Sequence, residues 1–445
     1  MSGQVTLIGM GCGWNAVTRE AEEALRRADA LLGAARLLET LPDDCATIRL
    51  AETVPGKLLR LLRENIWEHP CVLYSGDTGF YSGARLLIPL LEADKIPYRV
   101  LPGVSSVQLL AARLGRPWQD WRLCSAHGAD CDAVTAVSRG KAALFLTGTQ
   151  SPAALCGQLA AAGLGNLPVV IGENLGGADE KITRTTARAA AYGAFSPLSV
   201  LLTEPAPMPY PERASGIPDA DFIRGNVPMT KQEVRTAIMA KLAVCPGDTV
   251  WDVGAGTGAV SVELSRAARR GRVYALERGA EACDLIRRNR EKFGAWNLTL
   301  IQGDAPAALE PLPPPGAAFI GGSGGELENI IETALRKNSS VRLCASAVTL
   351  ETLCAAVTAF AVRGLDAEVC QIAVSRTRPA GKLHLLAAQN PVFLITAKGG
   401  SGAFAETSET AQGGGFAETS EAAEASEAAK GDAEQCGSAT KGGGL

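Results

Sequence analysis

The stretch Val250–Gly258 reads VWDVGAGTG, an apolar run that breaks into glycines at three alternate positions. A short apolar segment followed by such a turn and a helix is typical of parallel α/β proteins, because glycine lets the backbone approach a ligand without side-chain collision. The next strand candidate ends at Glu277, where a carboxylate can accept hydrogen bonds from the hydroxyls of a ribose. The stretch therefore predicts a nucleotide-binding α/β domain.

Two nucleotide chemistries fit this layout. Residues 254–259, GAGTGA, formally match the fingerprint of dinucleotide-binding folds, so a nicotinamide-dependent oxidoreductase is one alternative. The other is S-adenosylmethionine, whose cationic methionine end would meet Asp252 and whose adenine would meet Asp304 and Ala305 after the third strand candidate. Aspartate also caps turns, which is the structural alternative for Asp252 alone. The three acidic residues together favour S-adenosylmethionine.

Composition narrows the possible partners and locations. The chain has 445 residues, 47% of them hydrophobic, which suits two domains rather than one. A net charge of −4 and no sustained basic run before the tail argue against nucleic acid or an anionic membrane as a partner. Without a membrane-length apolar stretch or the basic region of a signal peptide, we expect a cytoplasmic protein. The cysteines form no C-x-x-C pair and the histidines number three, so we predict no metal site.

Apolar, β-rich runs alternate with helix-patterned segments in the first half of the chain, as in parallel α/β units. The strand candidates there are Val5–Ile8, Cys71–Ser75, Tyr98–Leu101, Leu123–Ala126, Ala143–Thr147, Pro168–Glu173 and Leu198–Thr203. The spacing over Val17–Leu32 predicts one helix, with Thr18 as its N-cap and Gly33 as its end. Ser105 and Gln108 predict a capping box for the helix that ends at Gly115.

A proline-rich break separates the two halves. Five prolines fall within Thr203–Asp219 and predict a linker at 205–218, between domains at 1–204 and 219–397. The strand candidates of the second half are Thr249–Val253, Val273–Glu277, Leu298–Gln302, Ala317–Ile320, Val341–Ala345, Ala367–Val374 and Pro391–Thr396. The near-repeats GAFAETSE and GGFAETSE predict a disordered low-complexity tail at 398–445.

The segments around the second glycine loop resemble a known family. VPMTKQEVR, WDVGAGTGAVSVEL, GDAPAAL and AFIGGSGGELENII are similar to the C15-methyltransferases and decarboxylases of cobalamin biosynthesis, a family called CbiT. The resemblance covers about Asp219 to Ala397 and implies an S-adenosylmethionine pocket. The pocket residues that it implies are Thr230, Gly254, Ala255, Gly256, Thr257, Gly258, Glu277, Asp304 and Ala305. Thr230 and Glu233 also have the spacing of a capping box, the structural alternative for Thr230.

Substrate candidates follow from the same region. Gly321 and Gly322 come after the fourth strand candidate and would let a large flat ligand approach closely. Glu326 is a candidate catalytic residue there, although a glutamate at a helix start more often compensates the helix dipole. Lys231 and Arg235 are candidates to bind substrate carboxylates, or they are ordinary solvated helix charges.

The first glycine loop, LIGMGCGW at Leu7–Trp14, lacks the glycine or alanine that a dinucleotide fingerprint requires at Trp14. With LYSGDTGFYSGARLL, VLPGVSSVQLLAARLG and VVIGENLGGADEKI it resembles the tetrapyrrole methylase family over roughly Gln4–Glu204, in particular the C5-methyltransferases called CbiE. The cofactor-binding positions that the resemblance implies are Gly9, Gly11, Gly76, Asp77, Phe80, Ser105 and Ser106. Cys12 and Thr78 stand where that family usually has proline, and Asp77 is alternatively a turn former.

Together the two resemblances predict an α/β chain with two unrelated folds. A tetrapyrrole methylase fold of two α/β subdomains would precede a seven-stranded, Rossmann-like class I methyltransferase domain, each with one S-adenosylmethionine site. The resemblance implies a homo-oligomeric enzyme that methylates a precorrin-6-type corrinoid macrocycle at C5 and C15 and decarboxylates an acetate side chain. A cobalt-containing substrate, an oxidoreductase and a non-enzymatic tetrapyrrole carrier are the alternatives.

Overall fold

The computed structural model describes residues 3–46, 48–127, 130–138, 140–211 and 215–399. These residues belong to one compact unit, Met1–Ala403, and the predicted low-complexity tail beyond Gly399 lies outside the described residues. Within the described ranges, no helix is long and apolar enough to cross a membrane.

The strands and helices alternate along most of the chain. The strands are β1 Val5–Gly9, β2 Ala30–Gly33, β3 Ile48–Ala51, β4 Pro70–Tyr74, β5 Tyr98–Leu101, β6 Arg122–Ser125, β7 Ala143–Leu146, β8 Pro168–Glu173, β9 Lys181–Thr186, β10 Ser199–Thr203, β11 Thr249–Val253, β12 Arg272–Glu277, β13 Leu298–Gln302, β14 Ala317–Ile320, β15 Arg342–Ala347, β16 Glu368–Ile372, β17 Ser375–Ala380, β18 Leu383–Ala388 and β19 Val392–Lys398. The helices are α1 Arg19–Arg27, α2 Ala35–Glu39, α3 Pro55–Glu64, α4 Ala84–Ala93, α5 Ser106–Leu114, α6 Ala133–Val137, α7 Pro152–Leu159, α8 Ala187–Ala190, α9 Gln232–Leu242, α10 Ala259–Ala267, α11 Ala280–Phe293, α12 Leu327–Lys337 and α13 Leu350–Val362.

The first half folds around two five-stranded sheets. The first sheet is parallel, with the order β3-β2-β4-β1-β5. Ile8 and Leu31 pack into a core on one face, and Leu7 and Leu32 pack into a second core on the other. Burial on both faces explains why its central strands are continuous apolar runs. The second sheet has the order β6-β7-β10-β8-β9 and is mixed, since β10 runs antiparallel to both of its neighbours.

The second half contains a seven-stranded sheet in the order β13-β12-β11-β14-β15-β19-β16. Strands β11 to β15 are parallel and β19 runs antiparallel to β15 and β16. Val250 faces the core that includes α10, whereas Trp251 faces the core that includes α12 and α13. The hairpin of β17 and β18 forms a separate two-stranded sheet. The predicted class of fold, two α/β subdomains followed by a seven-stranded Rossmann-like sheet, is confirmed.

Side chains of the second half contact the first half directly. Trp296 is 6% exposed and belongs to the hydrophobic cluster of the second sheet, with Leu164 and Ala206. Its indole Nε1 donates a hydrogen bond of 2.7 Å to the carbonyl of Pro207. Arg272 forms a two-pronged ion pair with Asp132, the N-cap of α6. The second half therefore completes an apolar core of the first.

Two local predictions are wrong, one element was missed and two predictions are confirmed. Val17–Leu32 is not one helix: α1 ends at Arg27, and Ala30–Gly33 is a fully buried central strand. The predicted capping box at Thr230 is absent, because α9 begins after Lys231 and the Glu233 carboxylate pairs with Arg376. The hairpin of β17 and β18 was not predicted. Thr18 caps α1 as predicted, and Ser105 and Gln108 form the predicted capping box of α5.

Candidate functional sites

The first half contains a cleft of about 990 Å³ between loops of its two sheets. Gly11 follows β1 and Gly76 follows β4, and the two loops exchange backbone hydrogen bonds of 3.1 and 2.9 Å. The opposite wall includes Leu146 at the end of β7 and Ser199 at the start of β10. The cleft thus lies where strand ends of two sheets meet, the usual position of a ligand crevice in α/β folds.

The structure brings most of the predicted residues of this half together. Those that line the cleft are Gly11, Gly76, Asp77, Phe80, Ser105 and Ser106. Gly9 does not line it. A Cβ on Gly9 would lie 2.6 Å from Gly103 N and 2.8 Å from Gly76 O, so this glycine allows three backbone segments to meet beneath the cleft.

Asp77 acts as a turn former in this structure, which is the structural role that the sequence analysis gave as its alternative. Its Oδ1 accepts a 2.7 Å hydrogen bond from Gly79 N, and its Oδ2 accepts one of 3.2 Å from Gly103 N. The carboxylate therefore ties the loop after β4 to the loop after β5. Thr78 stands where the tetrapyrrole methylase family usually has proline. It is buried, and its hydroxyl donates a 3.1 Å hydrogen bond to the carbonyl of Leu101.

Several residues that line the cleft were not predicted from the sequence. Arg36 and Arg85 line the cleft with exposed guanidinium groups, and Trp14 and Tyr81 add aromatic surface. His127 lines the wall formed by the second sheet. No motif marks these residues, although His127 comes two residues after the end of β6, a position that signals a site in an α/β fold.

The second half contains a crevice of about 660 Å³ at the carboxyl ends of β11 to β14. The predicted residues that line it are Gly254, Glu277, Asp304, Ala305, Gly322 and Glu326. Arg278 and Ser323 also line it and were not predicted. Its wall thus draws on the ends of four neighbouring strands.

Gly254 shows why this crevice requires glycine. Its φ is +74°, and a Cβ there would lie 2.5 Å from Gly322 O and 2.6 Å from Gly322 N. The loop after β11 and the loop after β14 therefore touch through their backbones, and a side chain at Gly254 would push them apart.

Glu277 organises the loops around it. Its Oε2 accepts a 2.9 Å hydrogen bond from Gly256 N, and its Oε1 accepts hydrogen bonds from the backbone N–H groups of Arg278 and Gly279. A carboxylate offers about four acceptor positions, so one is left for a ligand hydroxyl. Asp304, at the next strand end, forms an exposed ion pair of 3.8 Å with Arg278.

Asp252 does not reach the crevice, contrary to the expectation that it meets the ligand. It is fully buried on the α10 face of β11, where the Ser261 hydroxyl donates to its Oδ2 and its Oδ1 has no hydrogen-bond partner. Burial raises the pKa of this carboxyl to about 7. The hydrogen bond to Ser261 therefore ties Asp252 to α10, outside the crevice lining.

The prediction that Arg235 binds substrate is also wrong. Its side chain is fully buried, 2.8 Å from Asp219 Oδ1 and 3.4 Å from Glu263 Oε1, and it stacks on Phe222 at 4.7 Å. It also donates a 2.6 Å hydrogen bond to the carbonyl of Thr230. Since Arg235 is fully buried, its role is to join the segment before α9 to α10, which carries Glu263.

The other predicted residues of this half lie outside the crevice lining. These are Thr230, Lys231, Ala255, Gly256, Thr257, Gly258 and Gly321. Thr257 is 2% exposed and Gly258 is the N-cap of α10, and their contact with a cofactor stays a prediction. Glu326 lines the crevice at the N-cap of α12, where its Oε2 accepts a 2.7 Å hydrogen bond from Asn329. Its catalytic role stays a prediction.

Comparison with known proteins assigns a family to each half. Residues 4–191 match the model of the Tetrapyrrole (Corrin/Porphyrin) Methylases. Residues 221–398 match the model of the Precorrin methyltransferase domain. The two matches leave only the region between them and the two ends of the chain unassigned.

Relatives span one or both halves. The precorrin-6Y C(5,15)-methyltransferase [decarboxylating] of Mycobacterium tuberculosis (strain CDC 1551 / Oshkosh) is 32% identical over 81% of this chain and 91% of that protein. Its Sinorhizobium sp counterpart is 36% identical over 63% of this chain and 68% of that protein. A probable cobalt-precorrin-6B C(15)-methyltransferase (decarboxylating) of Pyrobaculum calidifontis is 45% identical over 43% of this chain and 99% of that protein. The chain therefore belongs to the family of decarboxylating precorrin-6Y C(5,15)-methyltransferases.

Proposed function

We propose that this chain transfers methyl groups from S-adenosylmethionine to C5 and C15 of a metal-free precorrin-6-type macrocycle and removes carbon dioxide from one of its acetate side chains. The observation that carries the proposal is the presence of two separate crevices, each at strand ends of a different α/β fold, in one chain of this family. The family assignment leaves the oxidoreductase and carrier alternatives without support.

We assign C5 methylation to residues 1–204 and C15 methylation with decarboxylation to residues 219–397, joined by the linker 205–218. The separate family matches of the two halves support this division. The 45% identity of the second half to a C(15)-methyltransferase supports the assignment of the second step.

The residues of the second crevice fit an S-adenosylmethionine molecule. Glu277 keeps an acceptor position for a ribose hydroxyl, and Asp304 and Ala305 lie at the next strand end. Where Gly254 meets Gly322, the crevice wall is backbone without side chains. When bound, this cofactor supplies an electrophilic methyl group, so the chain needs no nucleophilic residue. The protein aligns the macrocycle carbon and excludes water, an effect that reaches about 7–11 kcal/mol in well-oriented reactions.

The first cleft fits a large anionic ligand beside the cofactor. Its loops around Gly11 and Gly76 present backbone groups, while Arg36 and Arg85 present guanidinium groups that pair well with carboxylates. In the decarboxylation, the electron pair of the broken carbon–carbon bond passes into the protonated, conjugated ring. This step therefore needs no electron sink from the protein.

The test is the mass of the product. We expect the purified chain, given methyl-labelled S-adenosylmethionine and a metal-free precorrin-6 substrate, to yield a macrocycle with two labelled methyl groups and one carbon dioxide fewer. Relatives named for cobalt-precorrin make the cobalt form the second candidate substrate. A chain that turns over the cobalt form alone would overturn the metal-free assignment, and a chain inactive on both would overturn the proposed function.

We further propose that the chain forms a homo-oligomer. Leu383 and Leu385 are 70% and 46% exposed and lie two residues apart on β18, so they share one face of the hairpin, an apolar surface that association would cover. We expect wild-type protein to sediment as an oligomer and the double variant Leu383→Asp, Leu385→Asp to sediment as a smaller species. A monomeric wild-type chain would contradict the proposal.

A further inference from the structure

His127 occupies a defined position on the wall of the first cleft. It lies in the loop after β6, and its Nδ1 is 3.3 Å from the carbonyl oxygen of Thr147, which follows β7. A Cβ on Gly148 would lie 2.3 Å from that Nδ1, so the ring fills the space that glycine leaves beside it. The imidazole is therefore held by its surroundings.

The hydrogen bond fixes which ring nitrogen is free. A carbonyl oxygen only accepts, so Nδ1 carries the hydrogen and the neutral ring leaves Nε2 as an acceptor. The carbonyl itself is held in place, because the buried Thr147 hydroxyl bonds to the backbone and side chain of Ser199. Since the exposed ring lines the cleft, its Nε2 is open to a ligand there.

The other ionisable side chains of the described cleft lining are less suited to accept a proton. The guanidinium groups of Arg36 and Arg85 have only hydrogen-bond donors, and Tyr81 carries a phenol. Burial raises the pKa of the Cys12 thiol to about 11, so it stays protonated. Each oxygen of Asp77 accepts one backbone hydrogen bond, and this carboxylate joins the loops after β4 and β5. His127, whose Nε2 is open to the cleft, is therefore the better-placed proton acceptor.

We propose that His127 is the base of the first cleft and that its Nε2 accepts the proton that C5 releases when a methyl group replaces hydrogen. The new bond joins C5 to the methyl carbon, and the electrons of the broken sulfur–methyl bond stay on sulfur. The C5–H bond then returns its electron pair to the conjugated ring, and the proton passes to Nε2. This role rests on the proposed function of the first half.

Two variants separate the catalytic role from a structural one. His127→Asn keeps an amide N–H to donate to Thr147 and removes Nε2, while His127→Ala opens space for free imidazole. We expect both to slow C5 methylation in a single turnover by about 10²- to 10⁴-fold, the usual contribution of a general base. We also expect added imidazole to restore the rate of the His127→Ala variant in proportion to its concentration.

The matched control is His69→Asn, because His69 is exposed and does not line the cleft. We expect this variant to methylate at the wild-type rate, and all variants to bind S-adenosylmethionine with the wild-type Kd in calorimetry. A His127→Asn variant as fast as wild type, or a His127→Ala variant that imidazole does not rescue, would overturn the role of His127. A wild-type chain that does not methylate C5 would instead overturn the proposed function.

Discussion

Replacing Gly254 with alanine should disable the second crevice while the first keeps working. The new Cβ would lie 2.5 Å from Gly322 O, whereas ordinary contacts begin at 3.4 Å, so the two loops must separate by roughly 1 Å. A displacement of this size at a reaction site costs about 10²-fold in rate. The left-handed φ of +74° adds a cost of about 1–2 kcal/mol to folding.

The assay is the mass of the macrocycle produced by the variant. We expect a product with one added methyl group and an intact acetate side chain, because only the first half remains fast. Gly364→Ala is the matched control, since Gly364 has a φ of +64° with nothing within 4 Å of the added Cβ. It carries the cost of the left-handed conformation without the collision and should yield the doubly methylated, decarboxylated product. A Gly254→Ala variant that does the same at the wild-type rate would refute this reasoning.

Three further substitutions test the supports of the two sites. Trp296→Ala should lower the free energy of unfolding of the first half by about 3–5 kcal/mol, because it leaves a cavity in a packed core. Urea unfolding followed by hydrogen exchange measures this loss. An unchanged stability of the first half would contradict the shared core. Arg235→Met should cost about 3–5 kcal/mol because it leaves Glu263 buried without a cation and leaves Asp219 with Arg376 alone, and a loss no larger than that of Lys231→Met would be inconsistent with this network. The pKa of Asp252 is raised to about 7, so the folded state binds a proton that the unfolded state has released, and stability falls as pH rises towards 7. The gain in unfolding free energy of Asp252→Asn over wild type should therefore grow by about 2 kcal/mol from pH 5 to pH 7 and level off about one pH unit above that, and a gain independent of pH would exclude a buried, titrating Asp252.

The central strands and their loops could be read from the sequence because each carries a local signal. Strand β11 is an apolar run that is followed by glycines, Glu277 is the last residue of β12, and Asp304 lies two residues after the end of β13. Strand β2 was not predicted, because its alanine and leucine residues continue the helical spacing of α1. Its position between β3 and β4 in the sheet is what makes it a strand.

Two features of the sites could not be predicted because they depend on distant residues. The spacing of α9 does not distinguish a solvated Arg235 from a buried one, since its partners Asp219 and Glu263 lie on other elements. His127 becomes a candidate base only when the loops after β6 and β7 place the Thr147 carbonyl beside its ring.

The number of S-adenosylmethionine molecules bound per chain tests the central claim most directly. Equilibrium dialysis of the wild-type chain with labelled cofactor counts them without any substrate. Because each half has its own crevice, we predict two molecules per wild-type chain and one per chain of the Gly254→Ala variant at the same cofactor concentration. A single molecule per wild-type chain at saturation would contradict the account, because one of the two folds would then not hold the cofactor.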